Sequence, residues 1–309
     1  MSFFRLIRLP NLLIVALVQC LLYFRLLLPA FQQNDIAPRL NTTEFICLVL
    51  ATVFTTACGY ILNDLYDGEM DMLNRKDKVV INVAISAQIG TWLYAIFGFA
   101  GLMLSLYLAF RIGQIYMASL YLLSFALLFF YTVSLKKLPL AGNLLVAFFC
   151  LGVAALVWLA EAPGWWELKT KAPQSALALQ SIFNWYFSFA FFSTFFREIV
   201  KDLEDKEGDA AEACRTYPIV AGEKAAKWLA TAIAALLIGL LLWQYLTQAS
   251  GFNQGFYLGA MIGVVLPLAY SIQLLQKAQQ ASDYHRISFL AKMVMLAGIL
   301  LLFFVNNVK

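Results

Sequence analysis

Charge is scarce in this sequence. Of its 309 residues only 13% are Asp, Glu, Lys or Arg, against about a quarter in soluble domains. Hydrophobic residues make up 62% and mean hydropathy is +0.77. A water-soluble globule is thereby excluded, and an integral membrane protein is indicated. Alternating ten-residue segments are missing as well, which argues against a β-barrel; the apolar runs are continuous, as in membrane helices. Histidine occurs once, at His285 beside Arg286, where a surface position is a simpler reading than a catalyst. The five cysteines (Cys20, Cys47, Cys58, Cys150 and Cys214) lack metal-ligand spacing. Four sit in or beside apolar runs and read as small hydrophobes, so neither a disulfide framework nor a zinc site is supported. The net charge of +4 is small and makes no case for a nucleic-acid partner. No low-complexity tail or soluble domain interrupts the chain, which reads as one membrane domain over residues 1–309.

What is present is a succession of apolar runs, enough for about nine helices of roughly 20 residues. The first spans about Asn11 to Leu28, opened by Pro10 and ended by Pro29. Arg5 and Arg8 precede it as in a signal peptide. A small-residue cleavage site is not evident, so a retained first helix is expected. The second runs from about Glu44 to Leu62. A long run from Val79 to Phe110 then predicts either one tilted, protruding helix or a break near Gly98 or Gly101. The fourth and fifth cover about 112–133 and 140–159, separated by the basic turn Lys136-Lys137-Leu138-Pro139. Glu161 to Gln174, with Trp165-Trp166, reads as an interfacial loop. The remaining runs lie near 178–200, 225–246, 256–275 and 287–305. With a cytoplasmic N-terminus, about 16 of the 22 Lys and Arg residues fall inside, as the positive-inside rule requires. A cytoplasmic (inner) membrane is the expected location.

The carboxylates are not scattered. Asp64, Asp67 and Asp71 follow the second run with offsets of 0, 3 and 7. Asp202, Asp205 and Asp209 follow the sixth with the same offsets. On a helix these offsets place all three carboxylates on one side. Charged loops between helices would explain either cluster alone; they do not explain the repeated spacing. Like charges at the edge of an oily protein repel strongly unless cations lie among them. Hard oxygen ligands are what Mg²⁺ uses, often together with phosphate oxygens. The pattern predicts a pair of Mg²⁺-diphosphate sites at a membrane surface, with Asn63 as an extra oxygen ligand.

The chemistry that follows is transfer of an allylic group. Metal-bound diphosphate is a good leaving group, and an oily chamber keeps water from the carbocation it leaves behind. The phenylalanines Phe183, Phe187, Phe189, Phe191, Phe192, Phe195 and Phe196 of the sixth run suit such a chamber, although ordinary core or lipid-facing packing explains any one of them. Lys136 and Lys137 after Tyr131, and Arg197 and Lys201 before Asp202, supply cations for phosphate oxygens.

These motifs resemble the UbiA superfamily of intramembrane prenyltransferases. Its N-D-x-x-D-x-x-x-D motif is matched by Asn63, Asp64, Asp67 and Asp71. Its second motif is matched by Asp202, Asp205 and Asp209. A tyrosine followed by lysine after the fourth helix is matched by Tyr131 with Lys136, and Lys137 adjacent. A basic residue before the second motif is matched by Lys201, with Arg197 a turn earlier. The resemblance implies an all-α fold of nine transmembrane helices around a central cavity, with cytoplasmic cap segments near 63–78 and 201–222. It further implies Mg²⁺ and an isoprenyl diphosphate beneath the cap. The segment Arg197-Glu198-Ile199-Val200-Lys201-Asp202, with Gly208-Asp209 and Tyr217-Pro218-Ile219-Val220, is most similar to the digeranylgeranylglyceryl phosphate synthase branch. That branch usually reads Pro-Asp-Arg-Pro where this chain has Lys76-Asp77-Lys78-Val79. Lys78 keeps the phosphate-seeking charge without the bidentate fork.

Two acceptors stay open. The branch implies transfer of geranylgeranyl to the hydroxyl of a prenylglycerol phosphate, giving an ether lipid. The quinone-forming branches would prenylate an aromatic acid such as 4-hydroxybenzoate or dihydroxynaphthoate. Arg8 and Asn11, at the inner mouth of the first run, are candidates to contact either. A transporter or cation channel is a different class; it would place charges at mid-span, where these runs are nearly uncharged.

Overall fold

The structure, a computed structural model, describes residues 2–74, 80–247 and 250–305, with the side chains of 68–74 left aside. The described backbone is almost entirely helical. α1 (Ser2–Leu6) and α2 (Leu9–Cys20) lead through a π-helical segment, Leu21–Leu27, into α3 (Leu28–Gln33). There follow α4 (Thr42–Asn74), α5 (Ala87–Ile112) and α6 (Tyr116–Val133), then a short turn of 3₁₀ helix, Leu135–Lys137. Next come α7 (Ala141–Ala160), α8 (Ala162–Lys171), α9 (Pro173–Ala211), α10 (Tyr217–Val220) and α11 (Glu223–Leu246). α12 (Gln254–Ala260), a second π segment (Met261–Val265), α13 (Leu266–Lys277) and α14 (Ala281–Leu301) complete the set.

Among the described residues, eight helical stretches are long and apolar enough to cross a membrane. α9 is not one of them, despite its 39 residues. Gln180, Asn184, Trp185, Tyr186 and several serines dilute its aliphatic content, and most of its large side chains are buried within the protein. The multi-pass architecture inferred from composition is present.

Local chemistry explains where the sequence expectations fail. Pro29 was expected to end the first helix, yet the helical path continues to Gln33. A proline lacks its N–H and clashes with the carbonyl four residues back. The wider π turn just before Pro29 accommodates both defects, and the π segment before Pro267 does the same. The long run from Val79 is neither an over-length helix nor broken at Gly98 or Gly101. Asn82 takes a left-handed φ of 64°, and Ile81 and Ile85 form an isolated bridge. α5 starts only after Ser86, whose side chain accepts from the Ile89 N–H at 3.3 Å. Gly113, at φ 71°, closes it. The expected interfacial loop at 161–174 is instead mostly helix α8, with Trp165 buried and Trp166 exposed. The cap segments are not separate pieces where they carry the aspartates: α4 and α9 run on through both clusters.

The chain divides into two compact units. One comprises Met1–Cys20, Pro38–Leu135 and Leu156–Pro163. Its α4 packs along α2, α5 and α6. A core of Leu6, Leu12, Ala57, Ile61 and Ile81 anchors the N-terminal helices to the aspartate-bearing end of α4. A buried polar chain here finds its partners within the protein, as lipid demands: Gln19 donates to the Thr52 hydroxyl at 3.1 Å, and Thr52 pairs with Tyr121 at 2.8 Å. The other unit comprises Leu21–Ala37, Lys136–Ala155 and Gly164–Lys309. In it α9 packs on α11 and α14. Trp185 stacks on Phe189 (5.3 Å) and meets Phe256 edge-on (4.9 Å).

Candidate active site

In the first unit, α4 holds the first aspartate set. Asn63 and Asp67 lie one turn apart, and the Asn63 amide donates to Asp67 Oδ2 at 3.0 Å. Arg8 reaches Asp64 Oδ1 at 3.2 Å. Its guanidinium lies over the Tyr60 ring, 4.6 Å from the centroid, a cation–π contact that fixes the charge beside the carboxylate. Asn11 donates to the Tyr60 hydroxyl at 3.2 Å. Tyr60 thus ties together two residues that the sequence marked separately. Arg8 sits in the break between α1 and α2 with φ 50°, so the turn that aims its side chain is itself strained. Tyr131 is half-buried on α6. Asp71 lies on α4 with its side chain outside the description, and Lys78 lies outside the described residues altogether.

In the second unit, α9 holds the other set. Asp202 is half-buried and accepts from Asn143 Nδ2 of α7 at 3.0 Å. Burial pushes its carboxyl up to about 7, with Glu198 and Asp209 adding repulsion and the Asn143 amide opposing them. Asp209 is also raised, first by burial and then by Asp205. Lys201 lies 3.6 Å from Asp205, one turn along the helix. Arg197 pairs with its neighbour Glu198 at 2.6 Å. The Lys136-Lys137 turn is held beside the segment after α9, since the Arg215 N–H donates to the Lys137 carbonyl at 2.9 Å. His285, set aside as a surface residue, is exposed but contacts Glu204 at 2.8 Å.

Three contributors were given no role by the sequence reading: Asn143, Tyr60 and Glu198, the last quoted only as part of the segment before Asp202. The one visible signal for Asn143 is an amide standing alone near the start of an otherwise apolar run. Tyr60 resembles many other tyrosines of the chain, whereas Glu198 stands within the segment that carries the resemblance.

The donor chemistry fits a hard divalent cation: carboxylate and amide oxygens, with no thiolate or imidazole among the aspartate sets. Asp202 supplies the observation behind that fit. Its partner at 3.0 Å is a neutral amide, which orients the carboxylate without neutralising it. Among the described residues, no three His, Cys, Asp or Glu side chains converge closely enough to hold a metal by themselves. The first aspartate set is incomplete in that count, because the Asp71 side chain is outside it.

The sequence profile of the UbiA prenyltransferase family matches residues 11–306. Digeranylgeranylglyceryl phosphate synthase of Thermococcus kodakarensis is 30% identical over 256 residues, which cover 82% of each chain. A solved structure of digeranylgeranylglyceryl phosphate synthase has a TM-score of 0.67 at 22% identity, covering 97% of this chain and 96% of the other. A UbiA homolog from Archaeoglobus fulgidus, bound to DMAPP and Mg²⁺, has a TM-score of 0.55 at 15% identity, covering 98% of this chain and 99% of that one.

Proposed function

The chain belongs to the UbiA prenyltransferase family, and from that membership we propose its reaction: Mg²⁺-dependent transfer of a geranylgeranyl group from its diphosphate to the hydroxyl of a prenylglycerol phosphate, forming an ether lipid. The observation that carries this reading is the likeness to digeranylgeranylglyceryl phosphate synthases, which extends over 82% of both chains. Aromatic acceptors are the competing outcome of the test below.

In this reading Asp64, Asp67, Asp71, Asp202, Asp205 and Asp209, with Asn63, hold Mg²⁺. Lys78, Tyr131, Lys136, Lys137, Arg197 and Lys201 hold the diphosphate oxygens, and Arg8 and Asn11 contact the acceptor. When bound, Mg²⁺ takes up the negative charge that develops on the departing diphosphate. The protein's own groups do the rest. The amides of Asn63 and Asn143 orient carboxylates without neutralising them. Arg8, pinned by Tyr60, offers a fixed cation to an anionic acceptor. The half-buried phenylalanines of α9, Phe187, Phe191 and Phe192, give the isoprenoid an apolar surface that excludes water. α9 provides the ninth membrane crossing, with the N-terminus and both aspartate sets on the cytoplasmic side of the cell membrane.

The test uses purified protein, Mg²⁺ and radiolabelled geranylgeranyl diphosphate. Geranylgeranylglycerol phosphate is offered in one reaction, 4-hydroxybenzoate and dihydroxynaphthoate in others. An Mg²⁺-dependent labelled ether in the first alone is the expected result. A labelled aromatic product would overturn the acceptor assignment and leave the prenyltransferase standing.

A further inference from the structure

Two adjacent stripes run along α9. Ser193, Arg197 and Lys201 form one, each a turn apart; Glu198 and Asp202 begin the other, which Asp205 and Asp209 continue. Diphosphate binding uses the far end of the second stripe and leaves Glu198 without a role. Glu198 lies four residues before Asp202, about 6 Å along the helix axis, toward the apolar part of α9. Its side chain is only 17% exposed, and it is held by Arg197 Nη1 at 2.6 Å. Beside this pair two polar atoms are buried with no hydrogen-bond partner, Arg197 Nε and Ser193 Oγ; Ser193 is 2% exposed. Leaving donors unpaired at such a depth is costly, and a polar ligand group there would relieve it.

We propose that Glu198 is the group that takes the proton from the acceptor's hydroxyl, with Ser193 beside it to meet the acceptor's polar atoms and Arg197 holding its carboxylate in place between acceptor and diphosphate. This rests on the hydroxyl-acceptor reading given above. The position follows from the shape of the donor: its diphosphate is at the aspartates and its tail lies in the apolar region. The carbon that changes bonds is therefore just on the apolar side of Asp202, at the level of Glu198. As the bond from that carbon to the diphosphate oxygen breaks, the diphosphate keeps the electron pair. The acceptor oxygen forms the new bond to carbon, and its proton passes to Glu198. An oxygen attacking a cationic carbon becomes strongly acidic, so the carboxylate need not be a strong base; it needs to be held in place, which the Arg197 contact does.

Glu198→Gln separates this role from packing, because a Gln carbonyl still accepts from Arg197 but cannot take the proton. The wild type is assayed first with labelled geranylgeranyl diphosphate and geranylgeranylglycerol phosphate. If it makes no ether, the acceptor reading fails; if it does, Glu198 is on trial alone. Expected for Glu198→Gln is a kcat about 10²–10⁴-fold lower at unchanged KM. Binding of a geranylgeranyl thiolodiphosphate should be unaltered. Partial rescue of Glu198→Ala by formate supplied in the buffer would support the role further. A kcat for Glu198→Gln within threefold of wild type would overturn it, as would a loss of analogue binding equal to the loss of rate.

Discussion

Removing the Asn143 amide should weaken the second aspartate set in a way that can be sized in advance. Asn143 is 7% exposed on α7, and its Nδ2 donates to Asp202 Oδ2 at 3.0 Å. A hydrogen bond to a charged group contributes about 1.5–3 kcal/mol. Asp202 is only half-buried, so water recovers part of that loss in Asn143→Ala. About 1–2 kcal/mol remains, or roughly a 5–30-fold change in an equilibrium. The amide fixes one carboxylate oxygen and so decides where the other points. The loss should therefore fall on cation and diphosphate binding. The assay is a steady-state titration of purified Asn143→Ala against Mg²⁺ and against geranylgeranyl diphosphate, with a thermal melt in the same detergent. Expected are a 5–30-fold drop in kcat/KM, as estimated above, a higher Mg²⁺ concentration for half-maximal rate, and a melt that still shows one cooperative transition. A folded Asn143→Ala enzyme with wild-type kcat/KM and wild-type Mg²⁺ dependence would refute the reasoning. The contact would then serve only to satisfy a buried amide.

Further outcomes are expected elsewhere in the chain. Asp64→Ala and Asp202→Ala should each abolish diphosphate release while the protein remains folded; normal release from either variant would remove that residue from the site. Gly298→Ala should destabilise by about 1–3 kcal/mol, because a Cβ there would collide with the Phe189 ring; an unchanged melting temperature would show that the ring moves aside freely. Glu161 is fully buried and accepts from the Arg39 and Leu40 N–H groups at 2.9 and 2.8 Å, yet burial pushes its carboxyl up to about 7. A carboxyl whose folded value exceeds its unfolded one contributes stability that is lost as pH rises through the folded value. The melting temperature should thus fall as pH rises from about 4.5 to about 7 and level off above that, and Glu161→Gln should flatten that slope; an equally steep slope in the variant would clear Glu161 of the effect.

Much of the fold was legible because a membrane leaves few options. Continuous apolar runs have to be helices, and the runs at Tyr116–Val133 and Ala141–Ala160 lie within a residue or a few of their expected ends. The aspartate offsets were legible because helix periodicity is local. Local signals also explain the errors. Pro29 carries an ordinary stop signal, and only the π turn before it shows that the path goes on. The polar residues of Val79–Phe110, among them Asn82, Ser86 and Gln88, are diluted by apolar neighbours, so average hydropathy does not mark Ser86 as a cap. The sixth run, near 178–200, was legible from its apolar length, yet its aromatic and amide residues are soaked up by packing against α11 and α14 rather than by lipid. Contacts such as Asn143 with Asp202, 59 residues apart, and Arg8 with Asp64, 56 apart, depend on helix packing. No spacing rule within one helix reveals them.

The partners of the aspartates distinguish a cation site from a structural ion-pair network. A network holds carboxylates with guanidinium or ammonium groups and leaves little charge over. Here Asp67 receives a hydrogen bond from Asn63 and Asp202 one from Asn143. An amide fixes a carboxylate yet leaves its charge available. Arg8 at Asp64 and Lys201 at Asp205 are at the rim, with side chains 45% exposed in both cases. Pairs that open to water are weak, about 0–1 kcal/mol, so they exchange readily for a phosphate oxygen or a metal. Asp202 therefore combines held geometry with a charge that its neutral amide partner leaves in place, and the exposed positions carry replaceable cations. That division favours a site that takes up a charged ligand over one that is already complete.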